Sequence, residues 1–381
     1  MKNLQTCSRC IYDELTPNVE FDEEGVCNYC AMSDQLADEF GTGKEKGKKI
    51  YKSILKQIKH DGRNKKYDCV IGVSGGTDSS FMLHQVKEWG LRPLAVHYDN
   101  TWNTAIASQN IKIMLEKLDI DLYTHVVDNE EADSIFKAFF HAGVPELDAP
   151  TDLALKEVLY RGASYAGVKY IFEGHSFMTE GVSSLGDIYM DGRYISSINK
   201  IFGTMKIKTY PLMTFSRFMY WLLVKRIKHI RPFWYLDYSK EDARALLEKE
   251  YGWKYYGGHH LENRLSAFNH TVWFPQKFQK DLRNLTLAAK ARTGVMSRDD
   301  ALNEYAKPLE FETGLVDYFK KRLDISDSEF DKVMKMKPKS FKDYPTYKKL
   351  FEFLRPMFYL LYKANLVPKT FYIKYTSKND I

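Results

Sequence analysis

Residues 69–80 read CVIGVSGGTDSS. A run of strand type, Cys69–Val73, passes into Ser74-Gly75-Gly76, and Thr77-Asp78-Ser79-Ser80 then has the composition of a helix start. A tight turn followed by a helix cap is one reading of these residues, and an anion cradle is the other. Glycine lets the backbone approach an anion closely, and free N–H groups at a helix start point the same way. Ser74, Thr77, Ser79 and Ser80 add hydroxyl donors. Asp78 would repel phosphate unless a divalent cation lay between them, so it reads as a Mg²⁺ ligand. No lysine follows the glycines, which excludes G-x-x-x-x-G-K-[ST].

The surrounding sequence alternates. Strand patterns over Tyr67–Val73, Arg92–Asn100, Asp121–Val127 and Lys169–Ser176 are separated by helical patterns over Ser79–Trp89, Asn103–Leu118, Glu130–His141 and Thr151–Ala166. Units of this length imply an α/β fold with a parallel sheet covered on both faces. Ligands of such sheets sit beyond the carboxyl ends of the strands, which is where Ser74–Ser80 falls.

The chain has 381 residues, too many for one ordinary core, and divides by pattern into 1–45, 46–215 and a mostly helical, aromatic 216–381. Its net charge of +6 suits an anionic small substrate and does not demand nucleic acid. Met1–Arg9 has no apolar signal region, and no apolar run is long enough to span a bilayer, so the cytoplasm is the expected compartment. Phe215–Val224 reads as a buried amphipathic helix rather than a membrane-surface one. The polar stretch GTGKEKGKK, Gly41–Lys49, reads as an exposed linker with solvated lysines.

Four of five cysteines form two C-x2-C knuckles, Cys7/Cys10 and Cys27/Cys30. Two thiolates from each knuckle can close a tetrahedron around one Zn²⁺, leaving no position for chemistry. An iron–sulfur cluster is the alternative, and disulfides would not persist in a cytosolic chain. Cys69, inside a strand, reads as a small core residue.

Ser74-Gly-Gly-Thr-Asp78-Ser-Ser resembles the SGGxDS loop of the PP-loop ATP pyrophosphatases. The resemblance implies ATP bound with Mg²⁺, with AMP transferred to a carbonyl or carboxyl oxygen and pyrophosphate released. It implies that His97-Tyr98-Asp99 holds the adenosine part and that Gly174-His175 faces the nucleotide. Asp99 is also a candidate second Mg²⁺ ligand, or equally a strand-end cap. The order of the cysteine knuckles, VIGVSGGTDSS, VHYDNTWN, FEGHS, GGHHLENRLSAFNHTVWFPQKF and KARTGVMSRDDAL narrows the likeness. From Cys7 to about Leu302 the chain is similar to the N-acetyl sugar amidotransferases of bacterial surface-polysaccharide (LPS, O-antigen) biosynthesis. Those enzymes turn an acetamido group of an N-acetylated sugar or nucleotide sugar into an acetamidino group, with ammonia from a separate glutaminase subunit.

Such a reaction needs cations on the triphosphate. Lys277 is the first candidate, then Arg283, Lys290 and Arg292, with Lys277 and Arg292 raised by the resemblance. His259 or His260, within Gly257–Arg264, is a candidate for sugar recognition or acid–base work; Arg264 is a candidate for a sugar carboxylate or diphosphate. The competing reading is a tRNA thiolation enzyme, which would also use an SGGxDS loop but would need a basic acceptor-binding surface and usually a catalytic or cluster-binding cysteine beyond the knuckles. The apolar tail around Phe351–Tyr362 is either a docking face for the glutaminase or packed on the sheet domain.

Overall fold

The computed structural model describes residues 4–182, 188–258 and 261–377. Its centre is a five-stranded, wholly parallel sheet in the order β3-β2-β1-β4-β5, built from β1 Cys69–Gly72, β2 Pro93–Asp99, β3 Leu122–Val126, β4 Tyr170–Phe172 and β5 Lys228–Ile230. The alternation of strand side chains decides the layers. Cys69, Ile71 and Ala95 face one core with Tyr51, Met82, Leu83, Ile111 and Met114. These come from α2 (Glu45–Gly62), α3 (Thr77–Glu88) and α4 (Ala105–Leu118). Val70, Leu94 and Val96 face the other core, with Phe136, Phe139, Val158 and Leu159 of α5 (Asn129–Ala142) and α6 (Ala149–Tyr165). The expected α/β class with a parallel sheet and a helical C-terminal region is what the chain forms.

Two expectations change. The fifth strand, Lys228–Ile230, lies beyond the boundary placed at 215 and pairs in parallel with β4, Tyr170↔Lys228 to Phe172↔Ile230. Three residues are too few to show a period of two, so no strand pattern is visible there. Gly41–Lys49 is not a free linker. Thr42 donates to the Trp234 carbonyl at 2.6 Å, α2 begins at Glu45, and a Cβ on Gly47 would lie 2.4 Å from the Tyr235 carbonyl oxygen. Among the described residues no helix is long and apolar enough to cross a membrane.

Chain direction sets the site. From central β1 the chain moves outward through β2 and β3, then returns to place β4 on the opposite side of β1. The connections at the carboxyl ends of β1 and β4 therefore diverge and leave a crevice between them, where α/β sheets bind ligands.

Candidate functional site

Ser74–Gly76 forms the β1 edge of that crevice. Gly75 has φ +80°, and a Cβ there would stand 2.3 Å from the Ala107 carbonyl oxygen, so only glycine fits. Its carbonyl is turned away from the crevice and held by Trp253 Nε1 and Asn110 Nδ2, each at 3.2 Å. Gly76 caps α3 without a side-chain hydrogen bond, and the Tyr256 hydroxyl meets the backbone of Thr77, the first residue of the helix. Ser79 Oγ accepts from the Ser74 amide at 3.3 Å and donates to the Gly76 carbonyl at 3.2 Å, stitching the loop. Across the switch point, a Cβ on Gly174 would lie 2.7 Å from the Asp78 carbonyl oxygen, so the β1 and β4 loops touch only because residue 174 has no side chain. Ser80 and Thr77 are buried behind the loop.

Asp78 points into the crevice and meets two partners that sequence reading missed. Tyr238 donates its hydroxyl at 2.5 Å, and Lys240 Nζ lies 2.7 Å from Oδ2 and 3.8 Å from Glu180. Burial alone would lower the Lys240 pKa, but Asp78 and then Glu180 outweigh it and raise it, so the ammonium stays charged. One signal was available: Lys240 opens a helix, Lys240–Tyr251, capped by Ser239, and a cation at a helix start opposes the helix dipole. Tyr256 stands over the loop, its hydroxyl 3.1 Å from where a Gly76 Cβ would be; burial, then the charge of Glu262, raises its pKa.

The β2 side is built by a chain crossing from far downstream. His97 is buried, with Nδ1 2.8 Å from the Val73 carbonyl and Nε2 3.3 Å from Asn103 Nδ2. Tyr98 points to the opposite face of the strand and meets the Tyr210 hydroxyl at 3.0 Å inside the core. Asp99 Oδ1 accepts from the Thr101 amide at 2.7 Å, the strand-end arrangement among the two readings open for it. The loop Asn100–Thr104 is zipped to 262–264: Asn263 Nδ2 donates to Asn100 and Asn103, and the Arg264 amide donates to the Trp102 carbonyl at 2.8 Å. Arg264 itself forms a two-bond pair with Glu312. On the β4 side His175 accepts from Trp234 Nε1 at 3.2 Å and lies 3.5 Å from Glu180. Desolvation by the surrounding protein, then the charge of Arg231, lowers its pKa, although its outer edge is open.

The four cysteine sulfurs lie within 4.8 Å of one another and are buried. Neighbouring Sγ atoms are 3.6, 3.6 and 3.9 Å apart. Four thiolates on one zinc at about 2.3 Å require sulfurs about 3.8 Å apart, whereas a disulfide would bring them to about 2.05 Å. The cluster fits a zinc ribbon. Amides of Arg9, Cys10 and Cys27 donate to Cys7 Sγ, the outer bonds that orient a thiolate ligand.

Here the cations expected at the triphosphate reappear with other partners. Arg292, buried, gives Nε to Cys30 Sγ at 3.3 Å and Nη2 to Cys10 Sγ at 3.8 Å. Lys277, also buried, gives Nζ to the carbonyls of Val333 and Met336 at 2.6 and 2.7 Å, at the carboxyl end of the helix Asp327–Lys335. Arg283 pairs with Asp281, and Lys290 with Glu241. These bonds run away from the loop; among the described residues Lys240 is the lysine paired with Asp78. His259 and His260 lie outside the described residues. Cys69 is buried, and desolvation pushes its thiol well above the usual range, so it is no nucleophile.

Residues 262–357, about a quarter of the chain, match a family model described as LPS biosynthesis protein WbpG-like, C-terminal domain. That match begins where Glu262–Arg264 closes on the β2 loop. A protein of Methanocaldococcus jannaschii described as uncharacterized is 29% identical over 171 residues, or 44% of this chain. The match spans 58% of that relative's length. Among solved structures, an NMN synthetase from Francisella tularensis aligns over 61% of this chain and 94% of its own, at 17% identity and a TM-score of 0.28. An NH3-dependent NAD synthetase from Campylobacter jejuni aligns over 76% of this chain and 96% of its own, at 12% identity and a TM-score of 0.31. Superpositions this loose carry no argument; the fold class stands on strand order and register.

Proposed function

We propose that the chain is an ATP-dependent, AMP-forming amidotransferase of bacterial surface-polysaccharide synthesis, working in the cytoplasm on the acetamido group of an N-acetylated sugar or nucleotide sugar. The observation that carries this reading is the glycine loop at the β1/β4 switch point, with Asp78 and Lys240 paired at 2.7 Å beside it. An amide carbonyl is a poor electrophile, so its oxygen is first joined to the α-phosphorus of ATP, and pyrophosphate leaves. Ammonia then adds at the imidate carbon, and AMP departs with the former carbonyl oxygen, leaving C=NH.

Mg²⁺, when bound, neutralises the pyrophosphate as it separates. Asp78 supplies the carboxylate to hold that ion, and Asp99 is the second candidate. The amides at the start of α3, with Ser74 and Ser79, cradle the phosphates, Thr77 and Ser80 support the loop from behind, and Lys240 adds a half-buried positive charge beside them. His97 and Gly174-His175 line the rest of the nucleotide site, with Tyr98 behind it. His260 stays a candidate for acid–base work at the sugar. The cysteine cluster holds Zn²⁺ with structural duty only.

The buried Cys69 also supports ammonia from a separate glutaminase subunit. A glutaminase nucleophile must be exposed beside a base, and the remaining four cysteines occupy the cluster. The same fact weighs against tRNA thiolation. The test is incubation of purified protein with ATP, Mg²⁺, ammonium and a panel of diacetamido sugars, following AMP, pyrophosphate and the mass change for C=O becoming C=NH. AMP formed with tRNA and with no sugar would overturn the proposal, as would turnover of glutamine by the isolated chain.

A further inference from the structure

The tail forms two nearly continuous helices, Lys348–Phe353 and Arg355–Lys363. Their inward face is fully used. Phe351, Phe358 and Leu361 are buried, and Phe351 meets Phe215 and Phe371 with ring centres about 6 Å apart. The outward face is apolar as well. Phe353 is 80% exposed and Leu360 67%, with exposed Pro356 between them. Exposed Lys349 and Lys363 stand at the two ends, so the outward positions 349, 353, 356, 360 and 363 recur at helical spacing. A helix apolar on two faces belongs in an interior, and here one side of that interior is missing.

Charge says what covers it. Residues 336–375 hold nine lysines and arginines against two acids, Asp343 and Glu352, whereas the whole chain carries +6. The segment alone thus carries more positive charge than the chain as a whole, as do residues 44–66, which hold ten lysines and arginines against Glu45 and Asp61. Both acids of the tail segment are engaged locally: Glu352 lies 3.1 Å from Lys348, and Asp343 accepts from the Ser340 amide at 2.8 Å. An apolar ridge with lysines at its ends, on a strongly basic surface, has the layout of an interfacial helix. The ridge enters the acyl boundary, and the lysine stems reach the phosphates.

We propose that the ridge Phe353–Pro356–Leu360 docks the protein, lying flat, on an anionic phospholipid surface. The test uses the purified full chain and sedimentable vesicles of phosphatidylcholine with or without phosphatidylglycerol. Binding is expected to the anionic vesicles and to weaken as salt is raised. The F353S/L360S variant should lower the partition coefficient roughly tenfold or more, and K349A/K363A several-fold. All four side chains are exposed, so both variants should keep the parent's circular dichroism and melting temperature. Failure to bind anionic vesicles would overturn the proposal, as would undiminished binding by F353S/L360S. Loss, in those variants, of a complex with a purified glutaminase subunit, with no vesicle binding by the parent, would reassign the ridge to a protein partner.

Discussion

The cysteine cluster and the loop Ser74–Ser80 each gather small polar groups around a place for a cation, and they are finished in opposite ways. Around the cysteines every direction is closed. The sulfurs are buried, backbone amides orient them, and the Arg292 guanidinium lies against two of them. Four thiolates around a divalent ion leave net negative charge, which a buried arginine offsets at short range. Around Asp78 the protein supplies one lysine and one tyrosine, and the carboxylate side chain stays 21% exposed. A site that only holds the fold together can satisfy all its donors internally, while a site that turns over substrate must leave some of them for the ligand.

Four substitutions sharpen or break this contrast. Asp78→Asn removes the charge that would hold Mg²⁺ while keeping an acceptor for Tyr238, and AMP formation should fall by roughly a thousandfold with the fold intact. Near-normal turnover would end the metal role. Lys240→Met should lower AMP formation by roughly ten- to a hundredfold. Its effect should grow at limiting ATP, because the lost charge faces the phosphates. Unchanged ATP dependence would leave Lys240 a structural partner of Asp78 alone.

Arg292→Met separates the two sites directly. Release of zinc to a colorimetric chelator should accelerate by roughly ten- to a hundredfold, while AMP formation at saturating zinc stays close to the parent's. A loss of turnover with zinc held normally would return Arg292 to the triphosphate. The smallest effect is expected for Lys277→Met. Two carbonyls at a helix end lose a charged donor, costing about 1–3 kcal/mol in denaturant unfolding, with kcat and KM unchanged.

How much of this was legible follows from chain distance. Ser74–Ser80 announced itself because its parts are consecutive: strand end, glycine turn and helix start each impose a local preference. The cysteine set was readable for a similar reason, since two short knuckles suffice to place four sulfurs. Asp99 was left between two roles, and its bond to the Thr101 amide is one of them. The cations were hard to place because lysine and arginine carry no local signature of their partner. Lys277 and Arg292 sit in motifs that resemble a family's, and they bond to a helix end and to the thiolates. Lys240 sits in an ordinary capped helix and reaches Asp78, 162 residues away in sequence.

The sequence by itself determined the alternation of strands and helices, the glycine loop at a strand end and the pairing of two cysteine knuckles. These depend on backbone freedom, side-chain period and spacing within a few residues of the chain. Only the tertiary structure decided that Lys228–Ile230 completes the sheet, that 262–264 closes on the β2 loop, and which of the many cations meets which anion. Those choices depend on which surfaces are pressed together once the two cores close. A charge buried there must take the partner that packing delivers.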